Sequence, residues 1–167
     1  MAHSETEFLR LIDENKGIIV KVSRMYMDDH DGRQDLYQEI VYQLWKSYPT
    51  FKQQSKFSTW MYRVALNIAI VFLKKEKKHQ IYDSLQERHD FPEEAYDSEK
   101  DEQLKIFYQA VHELNAIEKA LIFLFLEGQS HREIAAHLGI SEVNARVKLN
   151  RTKERIQQII KKYNYEF

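Results

Sequence analysis

Cysteine is absent from the 167 residues. Its absence excludes a disulfide framework and thiolate metal sites, and fits a reducing compartment. Glycine and proline are scarce, at 4 and 2, too few to punctuate many strands with turns, so long helices are favoured. No apolar run of roughly 18 residues occurs, and no basic start leads into an apolar segment. Neither export nor membrane insertion is therefore expected, and a cytoplasmic location is. Strand alternation and internal repeats are missing as well. What is present suits a soluble globular chain, with 43% hydrophobic and 31% charged residues.

Net charge is −1, which points to no partner, but its distribution is uneven. Residues 1–80 hold 13 Lys and Arg against 10 Asp and Glu, residues 81–103 hold 2 against 9, and residues 104–167 hold 10 against 7. Two mildly basic blocks thus flank a strongly acidic middle. That middle, IYDSLQERHDFPEEAYDSEKDEQ, has no sustained helical stripe and contains a proline, so it reads as an extended, mobile linker. Its charge suits either a solvated loop or a segment that keeps basic surfaces apart until a partner displaces it. The organisation expected is all-α, with two small helical domains (1–80 and 104–167) joined by an acidic linker (81–103).

The first block reads as several helices. Phe8, Leu11, Ile12, Ile18, Ile19 and Val22 form an apolar stripe that Gly17 interrupts. MDDHDGRQD reads as a turn, with Asp31 placed to cap the next helix. It superficially resembles a calcium loop but lacks the spacing and the closing glutamate. In DLYQEIVYQLWKSYPTF, apolar residues recur at three- and four-residue spacing until Pro49 stops the run. Beside them Asp35, Gln38, Glu39 and Gln43 make an acidic, polar face. Nucleic acid would be repelled there, so it reads as plain solvent face or as a contact for a basic protein surface. Phe57, Trp60, Met61, Val64, Ala65, Ile68 and Val71 form a third stripe, with Ser58 or Thr59 at its start.

Opposite that third stripe lie Arg63, Asn67, Lys74 and Lys78. From Lys52 to Lys78 there are seven basic residues, Lys56 and Lys75 among them, and one acid, Glu76. Basic residues interleaved with Phe51, Phe57, Trp60 and Tyr62 fit a single-stranded nucleic-acid site. Lysines track phosphates there, while aromatic faces and polar groups take unstacked bases. A buried, satisfied Asn67 and a core Trp60 are the plainer alternatives.

The second block carries the more specific pattern. IFYQAVHEL opens it, AIEKALIFLFLEG ends at Gly128, and REIAAHLGIS leads into a basic helix. Ala135 precedes Gly139 by four positions, with Ile134, Leu138 and Ile140 placed for burial, as a helix-turn-helix requires. The expected domain has four helices. Ser141 can cap the last of them, on which Ala145, Leu149, Thr152, Ile156 and Ile159 share a face. Asn144, Lys148, Arg151 and Arg155 form a second row, with Arg146 and Lys153 on the opposite flank. Basic and amide groups on such a helix suit the major groove and its phosphates.

Taken together, DLYQEIVYQLW, FSTWMYRVALN and LKKEKKH resemble region two of the sigma-70 family, in its short extracytoplasmic-function (ECF) form. LNAIEKALIFLFLEGQSHREIAAHLGISEVNARVKLNRTKERI is similar to region four. The resemblance covers about residues 8–80 and 105–160. It implies a bacterial transcription initiation factor that binds core RNA polymerase and promoter DNA, double- and single-stranded. The minus-ten element would be melted and held by Lys52, Lys56, Arg63, Asn67, Lys74, Lys75 and Lys78, with a base flipped near Pro49 to Ser58. Ser141, Asn144, Arg146, Lys148, Arg151 and Arg155 would meet the minus-thirty-five element. Asp35, Gln38 and Glu39 would dock on the β′ clamp helices, and the second domain on the β flap. An anti-sigma factor is a further partner common in the family. The chain departs from the family pattern at Val71, Lys74, Val143-Asn144-Ala145 and Lys148, so base contacts do not carry over in detail.

Other readings remain distinguishable. A free-standing helix-turn-helix regulator would bind duplex without polymerase, and a helical adaptor would bind neither. The seven histidines are scattered, and His131 and His137 are too far apart on a helix to act as i,i+4 ligands. With no catalytic or metal set and no cofactor expected, an enzyme is not the reading.

Overall fold

In a computed structural model, residues 4–83 and 99–163 are described, except for the side chains of residues 77–101. Contacts divide the chain into two units, Met1–Arg88 and His89–Phe167. The described residues are all-helical. The first unit contains α1 (Glu5–Tyr26), α2 (His30–Ser47), a 3-10 turn (Tyr48–Thr50) and α3 (Phe57–Asp83). The second contains α4 (Glu99–His112), α5 (Ala116–Leu126), α6 (His131–Leu138) and α7 (Glu142–Lys162). The span read as a linker is therefore helical at both ends, through Asp83 and from Glu99, while 84–98 lie outside the described residues. Helix α4 begins earlier than its apolar stripe because Glu and Lys are good helix formers and acids favour a first turn.

In the first unit, α1, α2 and α3 pack mutually. Ile19, Val22, Leu36, Ile40, Leu44, Met61, Ala65 and Ala69 have no exposed surface. Each Leu or Ile so buried contributes about 1.5–3 kcal/mol, so this core outweighs local defects. Gly17 is one such defect. It lies in open space within an unbroken α1, whose stripe from Phe8 and Ile12 resumes at Ile18 and Ile19. A mid-helix glycine costs about 1 kcal/mol relative to alanine, less than the packing gained. Ser4 caps α1, accepting from the Glu7 amide at 3.1 Å.

Helix α2 starts before the expected cap. Asp29 is its N-cap, without a side-chain bond, and Asp31 lies in the first turn. Arg33 closes the preceding bend by donating to the Met27 carbonyl at 3.0 Å. Helix α3 likewise starts at Phe57, ahead of Ser58 and Thr59, with the Trp60 amide on the Lys56 carbonyl at 3.2 Å. No proline or glycine interrupts its 27 residues. Its core face is rotated from the expected stripe. Met61, Tyr62, Ala65, Leu66 and Ala69 are buried, Val64 and Ile68 half-buried, and Val71 is 52% exposed. The small Ala65 and Ala69 let the helices approach closely, whereas an apolar-only count favours the larger Val64, Ile68 and Val71.

The second unit is a four-helix domain in which α7 packs on α4, α5 and α6. Helix α5 opens with a reciprocal capping box between Asn115 and Glu118. It closes at Gly128 (φ +79), where the Gln129 amide reaches the Leu124 carbonyl and the Gly128 amide that of Phe125. Helix α6 repeats the arrangement, with a Ser130–Glu133 capping box and Gly139 left-handed at φ 67. That turn sets α7 against α6 over buried Ile134 and Ala135, while Leu138 and Ile140 are only half-buried. No helix among the described residues is long and apolar enough to cross a membrane.

Candidate functional site

Arg63, Asn67, Lys74 and Lys75 are all exposed on α3. At about 100° per residue, Arg63, Asn67 and Lys74 lie within about 40° of one another and point away from buried Ala65 and Ala69. Asn67 is thus a surface amide and not a satisfied core residue. Val71, also exposed, stands about 40° beyond Asn67 at the edge of that row. Lys78 lies on α3, but its side chain, like that of Lys77, is outside the described residues. Lys52 and Lys56 are exposed in the segment leading into α3. Within that segment Gln53 is left-handed at φ 57, a conformation that costs a non-glycine residue about 1–2 kcal/mol.

The neighbouring aromatic residues mostly hold one another. Tyr48 lies 6.4 Å from Phe51, 6.2 Å from Phe57 and 6.4 Å from Trp60, centroid to centroid. Phe51 and Trp60 are 5.1 Å apart. Phe51, Phe57 and Tyr62 are buried, so they do not offer open faces to bases, and Trp60 is half-buried. Phe51 and Phe57, which flank the Lys52–Lys56 segment in sequence, are 5.8 Å apart within this cluster. Burial first, then the Glu7 carboxylate, raises the Tyr48 phenol above its ordinary pKa.

On α2, Asp35 and Gln38 are exposed, and half-buried Glu39 accepts from Gln43 Nε2 at 2.9 Å. Sequence periodicity did not single out Tyr42 and Trp45, which are 56% and 42% exposed beside them. An apolar groove of about 380 Å³ between α1 and α2 is lined by Phe8, Leu9, Tyr37, Val41, Tyr42 and Trp45, with Glu5 and Gln38 at its polar margin. The acidic face is thus continuous with apolar surface.

On α7 the expected core row is buried throughout: Ala145 and Leu149 fully, Thr152, Ile156 and Ile159 nearly so. Ser141 caps the helix, its hydroxyl oxygen accepting from the Asn144 amide at 3.1 Å. Asn144, Lys148 and Arg151 are exposed on one flank. Arg146, on the other, pairs with Glu142 at 3.6 Å. Lys153 lies 3.7 Å from the centroid of the Phe125 ring. Arg155 is already engaged within the domain. Its Nη1 donates to Glu118 Oε1 at 2.6 Å and its Nη2 to the Glu113 carbonyl at 3.3 Å. The direction opposite the core belongs to Val143 and Val147, 66% and 40% exposed. A wheel drawn from Ala145 and Leu149 would have found them.

Among the described residues no group of His, Asp and Glu could hold a metal ion. His131 and His137 are half-buried.

Residues 11–79 match the family sigma-70 region 2, and residues 104–156 match sigma-70 region 4. The ECF RNA polymerase sigma factor SigX of Bacillus subtilis (strain 168) is 26% identical over 145 residues, 81% of this chain and 72% of that protein. The RNA polymerase sigma factor SigV of the same organism is 28% identical over 142 residues, 84% of this chain and 82% of its own. Among solved structures, the sigma factor RpoE in complex with the anti-sigma factor NepR from Bartonella quintana superposes with a TM-score of 0.67. Identity is 20%, over 94% of this chain and 96% of that one. CnrH in complex with the cytosolic domain of CnrY gives 0.67 at 15% identity, over 95% and 90%. At these identities the two structures speak to fold alone. Regions two and four follow in order on one chain, each on the helices that bear its exposed charged rows, and the chain belongs to the sigma-70 family as an ECF RNA polymerase sigma factor serving promoter-specific transcription initiation.

Proposed function

We propose a division of labour along the chain, with residues 1–80 docking on core polymerase and opening the minus-ten element, and residues 104–167 holding the minus-thirty-five element. Residues 81–103 join them. The α2 face of Asp35, Gln38 and Glu39 meets a basic surface on the β′ clamp helices. The α3 face of Arg63, Asn67, Lys74, Lys75 and Lys78 follows the phosphates of the opened strand, aided by Lys52 and Lys56. Helix α7 enters the major groove, its domain resting on the β flap. The protein performs no chemistry of its own. It acts in the bacterial cytoplasm by bringing polymerase to a promoter class and retaining melted DNA.

The observation that carries this reading is the sorting of charge by helix. On α3 and α7, Arg63, Asn67, Lys74, Lys75, Asn144, Lys148 and Arg151 occupy solvent-facing positions away from the cores, whereas α2 turns Asp35 outward beside half-buried Glu39. Polyanion and polymerase therefore have separate, electrostatically opposite faces. An anti-sigma factor is the regulator we propose, as NepR is bound to RpoE and CnrY to CnrH.

The test is capture of bacterial core polymerase by the purified chain, beside an Asp35→Arg/Glu39→Arg variant, followed by run-off transcription from selected promoters. Capture by the wild type that the variant loses supports the reading. A folded wild type that ignores core polymerase while still binding duplex would leave a free-standing helix-turn-helix regulator in its place.

A further inference from the structure

We propose that Val143 and Val147 are the sequence-reading contacts at the centre of the α7 face, each packing on a thymine methyl group in the major groove. This rests on the reading of α7 as the duplex-binding helix. A single exposed valine needs no explanation. Here two stand on consecutive turns, 66% and 40% exposed, and the 3.6-residue repeat brings them within about 40° of each other. Both point opposite the buried Ala145 and Leu149. They form the ridge that reaches furthest from the domain.

The cations occupy the shoulders of that ridge. Lys148 and Arg151 are exposed on one side and Arg146 on the other, where a groove's two phosphate walls would run. Phosphate contacts position a helix but carry no sequence information directly. Arg155, the fourth member of the sequence-derived row, is occupied by Glu118 and the Glu113 carbonyl. About two turns beyond Val147, past Asn150 and Arg151, the same direction is taken by exposed Glu154, which phosphates would repel. The amino-terminal half of α7 is therefore the part that enters. The base-pair feature matching an apolar ridge in the major groove is the thymine C5-methyl, which uracil lacks.

The experiment uses the full chain, with core polymerase added, and duplexes recovered from a random-sequence library. Each thymine of the recovered element is replaced singly by uracil, which removes only the methyl group. The expected result is a loss of about fourfold at one or two positions, the worth of one buried methyl-sized group. Val143→Ala and Val147→Ala should each abolish the difference between thymine and uracil at one position. Because both side chains are exposed and alanine favours helix, neither variant should unfold. Binding of a selected duplex that is indifferent to uracil, or a uracil effect unchanged in both variants, overturns the proposal while leaving the DNA-binding reading intact. Failure to recover any preferred duplex removes the DNA-binding reading and this proposal with it.

Discussion

Replacing Arg155 with alanine separates two roles that one side chain could hold. By helical phase Arg155 belongs with Lys148 and Arg151 on a DNA-facing row. In the folded domain its guanidinium instead ties α7 to the start of α5, at 2.6 Å from Glu118 Oε1 and 3.3 Å from the Glu113 carbonyl. The Arg155 side chain is 48% exposed and that of Glu118 16%, so the pair is partly screened. Fully exposed pairs are worth about 0.2–1 kcal/mol, and hydrogen bonds to charged groups about 1.5–3 kcal/mol. Discounted for the exposed arginine, about 1 kcal/mol is expected for the tie. Glu118 Oε1 also accepts from the Asn115 amide at 3.1 Å, completing the α5 capping box. Glu118→Gln keeps an Oε1 acceptor for the Asn115 amide, since glutamine serves at this capping-box position as glutamate does, so it removes mainly the charge of the tie. A double-mutant cycle isolates the tie from the cap.

The assay is urea unfolding of the full chain followed by far-ultraviolet circular dichroism. Tryptophan fluorescence would miss the event, since Trp45 and Trp60 both lie in the first unit. Arg155→Ala should lower stability by about 1 kcal/mol and weaken duplex binding only slightly. Arg151→Ala should leave stability within about 0.5 kcal/mol while weakening duplex binding about tenfold or more. An Arg155→Ala variant that unfolds like the wild type yet loses as much duplex affinity as Arg151→Ala would place Arg155 on the DNA and not in the tie.

Leu149→Ala, at a site with no exposed surface, should destabilise the second unit by about 2–5 kcal/mol, read from the same unfolding curves. Gly139→Ala meets nothing within 4 Å but keeps φ at +67, so about 1–2 kcal/mol of backbone strain is expected without a steric clash. Removing a phosphate-bound cation should change the salt dependence of binding. Lys74→Ala should reduce the logarithmic salt slope for single-stranded DNA by about 0.7, measured by titration across salt concentrations. An unchanged slope would remove Lys74 from the phosphate path.

Much of this architecture was legible because helical periodicity is a local property. The buried row of α7 from Ala145 to Ile159 and the turns at Gly128 and Gly139 follow from apolar spacing and glycine position. The rest depended on neighbours that spacing does not encode. Gly17 looks like a break until the buried residues on both sides are seen to share one packing surface. The rotated core of α3 reflects close approach at Ala65 and Ala69, where size mattered more than hydrophobicity. Tyr62 looked available for stacking and is buried. The partner of Arg155 lies 37 residues away, so no reading of α7 alone could have found it. Asn67 is expected opposite the apolar stripe, yet it lies only about 60° from Val64 and about 160° from Ala65, so its exposure follows from the rotated core and not from the stripe.

Helix α3 is a ruler as well as a surface. Its 27 residues run without proline or glycine, giving a rod of about 40 Å at 1.5 Å per residue. From Arg63 to Lys75 the rise is about 18 Å, comparable to about five base-pair steps of B-form duplex at 3.4 Å each. Whatever meets both ends must match a fixed interval, because a helix can neither stretch nor slacken as a loop does. Inserting one residue between them would change that interval by only about 1.5 Å but would turn the distal lysines by about 100° about the axis. With an uncharged residue inserted after Ala69, beyond the buried Ala65 and Ala69, such a chain could keep its charge and its first-unit core and still lose the alignment of its two ends.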